Sequence, residues 1–216
     1  MSSKIHVLSH PVINAKLSLL RKAETSSKEF RECINDISYI LGIEATRDLE
    51  ETTFEGQTTA VGAKYTGKTI AGTIGITPIL RAGLGMTDAL LNLLPSARLY
   101  HIGLFREKVS LQPVEYYSKL HRPAVDQCIL LDPMVATGGT ACAAIEMLLD
   151  WGLRPSKEGL RTIQHRYPNL EIWVAAVDDE LTADGIVKPG LGDAVSMCVP
   201  CVSIVILMLA LGGSVV

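Results

Sequence analysis

The sequence predicts an α/β fold: a mostly parallel sheet flanked by helices. Three observations lead there. A chain of 216 residues with 48% hydrophobic and 20% charged residues is the size and composition of one packed domain. Two short apolar runs, Ile70 to Ile79 and Gln127 to Asp132, each pass through a small-residue turn into a helical pattern. Repeats and low-complexity linkers are absent from the sequence. The net charge of −3 gives no electrostatic case for a nucleic-acid surface. Five Cys are scattered, and Met1 to His10 lacks the apolar core of a signal peptide, so reduced thiols in a cytoplasmic compartment are the expectation.

The elements follow in chain order. His10-Pro11 precedes a helix from Val12 to about Lys22, with Pro at a permitted first-turn position. Ser26 and Glu29 form a capping-box signature, and Phe30, Ile34, Ile37 and Leu41 recur at helical spacing to about Gly42. Thr52 to Lys64, rich in Thr, Val and Gly, reads as short strands with turns. Gly62 to Thr69 matches the Walker A pattern in letters, but a P-loop needs a helix after it and another strand follows here. Thr66-Gly67-Lys68 is read as the turn of a β-hairpin arm. A strand ending at Pro78–Leu80 leads to a helix from about Leu84, whose apolar side is Leu84, Ala89, Leu90, Leu93 and Leu94. Arg98 to Phe105 alternates as a strand. Arg106 to Pro123 reads as a long polar loop, of the kind that serves as a lid or binding loop. Tyr116 and Tyr117 either help exclude water when it closes or simply pack. Thr140 to Asp150 is a helix rich in Ala, Leu, Met and Glu. After Trp151-Gly152, Ser156 to about Tyr167 is helical, Asn169 to Val177 is a strand, and Ile186 to Ala194 is a Gly/Pro-shaped loop suited to close approach of a planar ligand.

The chemistry concentrates at strand ends. Asp132 closes the run Ile129-Leu130-Leu131-Asp132, and Ala136-Thr137-Gly138-Gly139-Thr140 follows as a loop of little bulk that opens a helix. Backbone N–H groups at such a helix start favour a phosphate, and Thr137 and Thr140 add hydroxyl donors. The acid is placed to accept bonds from sugar hydroxyls, so the residues read as a sugar-phosphate site. Arg81 lies at a second strand-to-helix loop, where α/β sheets bind ligands, and its guanidinium fork suits a diphosphate. Arg106 opens the polar loop and reaches toward the same anion.

These residues carry a resemblance. The Asp132–Thr140 stretch is similar to the 5-phosphoribosyl-1-diphosphate (PRPP) motif of type I phosphoribosyltransferases. Pro78-Ile79-Leu80-Arg81-Ala82-Gly83-Leu84-Gly85, Leu111-Gln112-Pro113-Val114-Glu115-Tyr116-Tyr117 and Pro189-Gly190-Leu191-Gly192-Asp193-Ala194 extend the likeness to uracil phosphoribosyltransferases, from His10 to Ala194. The last string separates this family from other phosphoribosyltransferases. The resemblance implies a Rossmann-like type I fold with N-terminal helices and a β-hairpin arm. It implies the reaction of uracil with PRPP to give UMP and diphosphate, Mg²⁺ travelling on PRPP with no direct protein ligand, and a homo-oligomer. It gives PRPP binding to Arg81, Arg106, Asp132, Pro133, Met134, Val135, Ala136, Thr137, Gly138, Gly139, Thr140 and Asp193. Uracil is assigned to Val187, Gly192, Asp193 and Ala194, and the catalytic set is Arg81, Arg106, Asp132 and Asp193. Asp193 is the one candidate for a general base at N1. Many relatives carry two acids where this chain has Asp132-Pro133, and Ile where it has Val187.

The chain departs from the family twice. The helix ending at Gly152 meets the next after only residues 153–155, where relatives have an apolar strand of roughly nine or ten residues. One sheet strand is thus missing, which favours a second reading: a catalytically impaired homologue that binds PRPP or uracil without turnover. After Ala194, relatives end in a short polar tail, whereas residues 195–216 here carry no charge. The expected division is therefore a phosphoribosyltransferase domain over 1–194 and an atypical hydrophobic tail over 195–216. The tail is long enough to cross a bilayer, but no Lys or Arg flanks its C-terminal side and Pro200 interrupts it. A tail that is poorly ordered, or packed on the surface left by the missing strand, is expected instead of a membrane anchor. Cys198-Val199-Pro200-Cys201 is a lone CxxC with no second pair for zinc. Together the two departures suggest a variant transcript or an erroneous gene model.

Overall fold

The computed structural model describes residues 4–106, 113–118, 125–135, 138–150, 170–178, 180–181, 187–188 and 205–210. In order the elements are β1 (Lys4–Val7), α1 (Pro11–Leu20), α2 (Ser27–Ala45), β2 (Glu51–Thr58), β3 (Lys64–Ile70), β4 (Ile74–Leu80), α3 (Leu84–Leu93), β5 (Arg98–Leu99), β6 (Ile102–Arg106), β7 (Pro113–Ser118), β8 (Gln127–Asp132), α4 (Gly139–Asp150), β9 (Leu170–Val174), β10 (Glu180–Leu181), β11 (Val187–Lys188) and β12 (Val205–Ala210). The main sheet runs β1-β9-β12-β8-β4-β6-β7, with β5 beside β4. Within it β1, β4, β5, β6, β8 and β9 point one way, while β7 and β12 run against them.

Helices cover both faces because the strands are apolar on both. Along β8, Ile129 and Leu131 face the cluster built by α1, α2 and α3, while Cys128 and Leu130 face α4. A period of two with no polar member is the pattern of a strand buried between two helical layers. On one side Ile13, Leu17, Ile37, Leu41, Met86 and Leu90 close the core; on the other Ala144, Ile145 and Leu148 do so. Helix α2 starts where its sequence says it should. The Ser26 hydroxyl accepts the Glu29 N–H, and the Glu29 carboxylate accepts the Ser26 N–H at 3.0 Å. Helix α1 opens with Pro11 in its first turn and His10 as cap.

Several boundaries differ from the sequence reading. The hairpin arm exists, but Thr66-Gly67-Lys68 lies inside β3. The turn is at residues 59–63, closed by Thr59 N–H to Ala63 C=O at 2.8 Å. The Phe54 ring of β2 lies over Gly67 in mid-strand. Leu84 is half exposed, and Met86 and Thr87 are buried with Ala89 and Leu90 on the face that α3 turns to α2 and β4. The Arg98–Phe105 run is two segments, β5 and β6, which pair in succession with the same edge of β4. Part of the expected polar loop is a strand: Pro113–Ser118 returns antiparallel to β6 and pairs its otherwise open edge. Tyr116 and Tyr117 are exposed on that strand, and residues 107–112 and 119–124 lie outside the described residues. Strand β1, from an N-terminal stretch to which the sequence reading assigned no element, pairs parallel with β9. The helix expected from Ser156 to Tyr167 and the Cys198–Cys201 pair lie outside the described residues.

The tail provides the largest departure. Residues 205–210 form β12, inserted antiparallel between β8 and β9, with Val205 opposite both Asp132 and Val174. Residues 205–210 thus lie between two strands that point the same way, while residues 151–169, where the sequence reading places the missing strand, lie outside the described residues. Among the described residues, no helix is long and apolar enough to cross a membrane.

Candidate active site

The site forms where β8, β4 and β6 end side by side. The pairing of Pro78 with Leu131 and of Leu80 with Gly103 brings the carboxyl ends of the three strands to one edge. Asp132 ends β8, Arg81 follows β4 directly, and the Arg106 backbone ends β6. In open α/β sheets this edge is where ligands sit. Arg81 is exposed, and the Leu80–Arg81 peptide bond is cis.

The turn after Arg81 is pressed against β8. A Cβ on Gly83 would lie 2.6 Å from the Leu131 carbonyl oxygen and 2.7–2.8 Å from the Ile79 backbone. Only glycine permits that approach, because the neighbours are backbone atoms that have nowhere to go. The Arg81 turn thus abuts β8 one residue before the acid. Sequence reading took Gly83 only as part of a small-residue turn; it is the residue that brings the two motifs together.

Asp132 is 7% exposed. Its Oδ1 accepts the Met134 N–H at 3.0 Å, a local bond that folds residues 133–135 back over the strand end. Burial pushes the carboxyl up to about 7, and the Met134 hydrogen bond offsets only part of that. Gly138 takes φ +78°, which L side chains rarely adopt, and its carbonyl accepts the Cys142 N–H at 2.9 Å as α4 begins. The Cys142 thiol donates to the same carbonyl at 2.7 Å. Nothing in the sequence pattern singled out Cys142 for that bond. Helix α4 begins at Gly139, seven residues after the end of β8, and the unpaired N–H groups of a helix's first turn are an arrangement that receives a phosphate. Gly139 and Thr140 are half-buried at that helix start. Ala136 and Thr137, the middle of the expected phosphate loop, lie outside the described residues.

The proposed base site is described only in part. Val187 pairs with Leu181 in the small β10–β11 sheet, while Gly192, Asp193 and Ala194 lie outside the described residues. The lead-in to that sheet is anchored: Asp178, 5% exposed, accepts a hydrogen bond from the guanidinium of Arg21 at the end of α1, at 2.5 Å. For Mg²⁺ the edge offers the Asp132 carboxylate, and no group of three or more metal-type side chains gathers among the described residues. The Asp132 carboxylate is a hard oxygen donor of the kind Mg²⁺ takes. Cys128, buried beside Thr77, has its thiol pushed up to about 12 by burial and is inert.

Comparison with known proteins follows the same residues. The family model described as uracil phosphoribosyltransferase matches residues 7–196. A Roseiflexus castenholzii protein named uracil phosphoribosyltransferase is 45% identical over 202 residues, covering 88% of this chain and 95% of its own. The protein of that name from Natranaerobius thermophilus is 43% identical over 202 residues, covering 89% and 96%. Among solved structures, the AQ2163 protein from Aquifex aeolicus superposes with a TM-score of 0.75 at 31% identity, over 90% of this chain and 97% of that one. The chain thus has a type I phosphoribosyltransferase α/β fold, and it belongs to the uracil phosphoribosyltransferase family.

Proposed function

We propose that this chain transfers the phosphoribosyl group of PRPP to N1 of uracil, giving UMP and diphosphate. One observation carries the reading: a buried acid at the end of β8, bonded to its own loop, at the same sheet edge as the exposed Arg81 that follows β4. The 5′-phosphate takes the N–H groups of residues 136–140, and Asp132 engages the ribose hydroxyls. Pro133, Met134 and Val135 carry the loop between them. As the bond from C1 of the ribose to the diphosphate oxygen breaks, positive charge grows on the sugar and negative charge on the leaving group. Arg81 and Arg106 stabilise the departing diphosphate, a role in which one preorganised donor is commonly worth about 2.7–4 kcal/mol. Mg²⁺, when carried on PRPP, would supply further positive charge beside Arg81 and Arg106. The C1–N1 bond forms as the N1 proton leaves, with Asp193 as its acceptor.

Uracil is held by Val187, Gly192, Asp193 and Ala194. A backbone N–H that donates to O4 rejects cytosine, whose amine at that position also donates. Each donor left unpaired costs roughly 1–3 kcal/mol. The site residues all fall within 1–194, and the chain works in the cytoplasm as a homo-oligomer. The exposed Phe54, Val61 and Tyr65 of the hairpin arm support self-association, because a two-stranded hairpin is marginal without a surface to lie on.

The test is conversion of labelled uracil by the full chain with PRPP and Mg²⁺. Labelled UMP is expected, with cytosine turned over at least about tenfold more slowly. Tight PRPP binding with no UMP would identify the impaired homologue instead, and neither binding nor product would overturn the reading.

A further inference from the structure

The sheet order places one strand position between β8 and β9, two strands that point the same way. In a βαβ arrangement that position belongs to a parallel strand delivered after α4. Here residues 205–210 fill it from beyond the span of the family match, and they run the opposite way. We propose that the cleft between β8 and β9 is a strand-accepting site, and that its ligand is the chain's own C-terminal segment, an uncharged extended peptide bound by β-augmentation.

The register supports a specific fit. Six consecutive residues, Val205 to Ala210, pair with Asp132 to Gln127, and five of them, Val205 to Leu209, also pair with Val174 to Leu170. A strand flanked by two others inside an α/β sheet meets apolar layers on both faces, and Val-Ile-Leu-Met-Leu-Ala is the run such a place requires. Without it, the facing ladder groups of β8 and β9 would lack partners in the middle of the sheet, a cost borne by every unpaired N–H and C=O. The segment enters at the carboxyl edge, with its first residue opposite Asp132. It therefore braces the strand that carries the site's acid.

Two measurements test this without using activity. In hydrogen exchange on the full chain, the amides of Ile206 to Leu209 should exchange within about tenfold of those of Ile129 to Leu131; exchange at free-peptide rates would overturn the proposal. In a chain carrying a protease site inserted after Ser196 and cut after folding, the C-terminal fragment should stay with the body through gel filtration. The Leu207→Pro version, which removes a ladder donor, should release it. Loss of the unaltered fragment from the body would overturn the strand-accepting site, and an equally retained Leu207→Pro fragment would overturn the β-pairing.

Discussion

The Asp132 carboxyl is held 7% exposed, with one backbone N–H for company. Unfolded, it ionises near 3.8; folded, near 7. Between those values the folded chain keeps a proton that the unfolded chain has lost, so stability falls as pH rises from about 4 to about 7 and stays lower above. Asp132→Asn removes that penalty. Its melting temperature should exceed the parent's at pH 8, by up to about 4 kcal/mol of stability. The difference should vanish toward pH 4, and thermal melts across that range check it. PRPP-dependent turnover should fall in the same variant, the usual exchange of stability against function at a site. Glycines give a second residue-scale contrast. A Cβ at Gly67 would meet only the Phe54 ring, an exposed side chain that can swing away, whereas at Gly83 it would meet fixed backbone. Gly67→Ala should cost at most about 1 kcal/mol and Gly83→Ala about 2–3 kcal/mol by denaturant unfolding. Equal costs would remove Gly83 as the contact that joins the Arg81 turn to β8.

At the scale of elements, the parts with strong local rules were legible. Ser26 and Glu29 announce α2, the Gln127–Asp132 run is β8 to the residue, and the small loop before Thr140 opens α4. Elements fixed by distant partners were not. Lys4–Val7 alternates polar and β-branched residues over only four positions, too short a run to mark a strand alone, and becomes β1 because β9 offers an edge. Pro113–Ser118 reads as polar loop and becomes β7 because β6 needs a neighbour. The hairpin turn was misplaced because Gly67 signals a turn, while it lies in mid-strand under the Phe54 ring. Long-range pinning also carries a prediction. Arg21 at the end of α1 holds the nearly buried Asp178 beyond β9, so Arg21→Ala leaves that acid without its guanidinium. A loss of about 2 kcal/mol is expected, together with a higher KM for uracil, because Asp178 precedes the strands that lead to the base loop. An unchanged KM would separate this ion pair from base binding.

Across the whole molecule, the order β8-β4-β6 assembles a site from pieces just over fifty residues apart in sequence, as from Arg81 to Asp132. The motifs named the chemistry. Their meeting at one edge depends on parallel pairing, which no single stretch encodes. The gap after α4 was visible as a missing strand, yet the antiparallel placing of residues 205–210 is set by the whole sheet's demand for a partner. The central claim is that this edge grips PRPP and pulls on its diphosphate. Arg81 is exposed, so its removal leaves the core intact. The most direct measurement is therefore kcat/KM for PRPP in the full chain and in Arg81→Ala, with the melting temperature recorded for both. A fall of about 10²–10³-fold at an unchanged melting temperature is expected; an Arg81→Ala chain that makes UMP as fast as the parent would contradict the account.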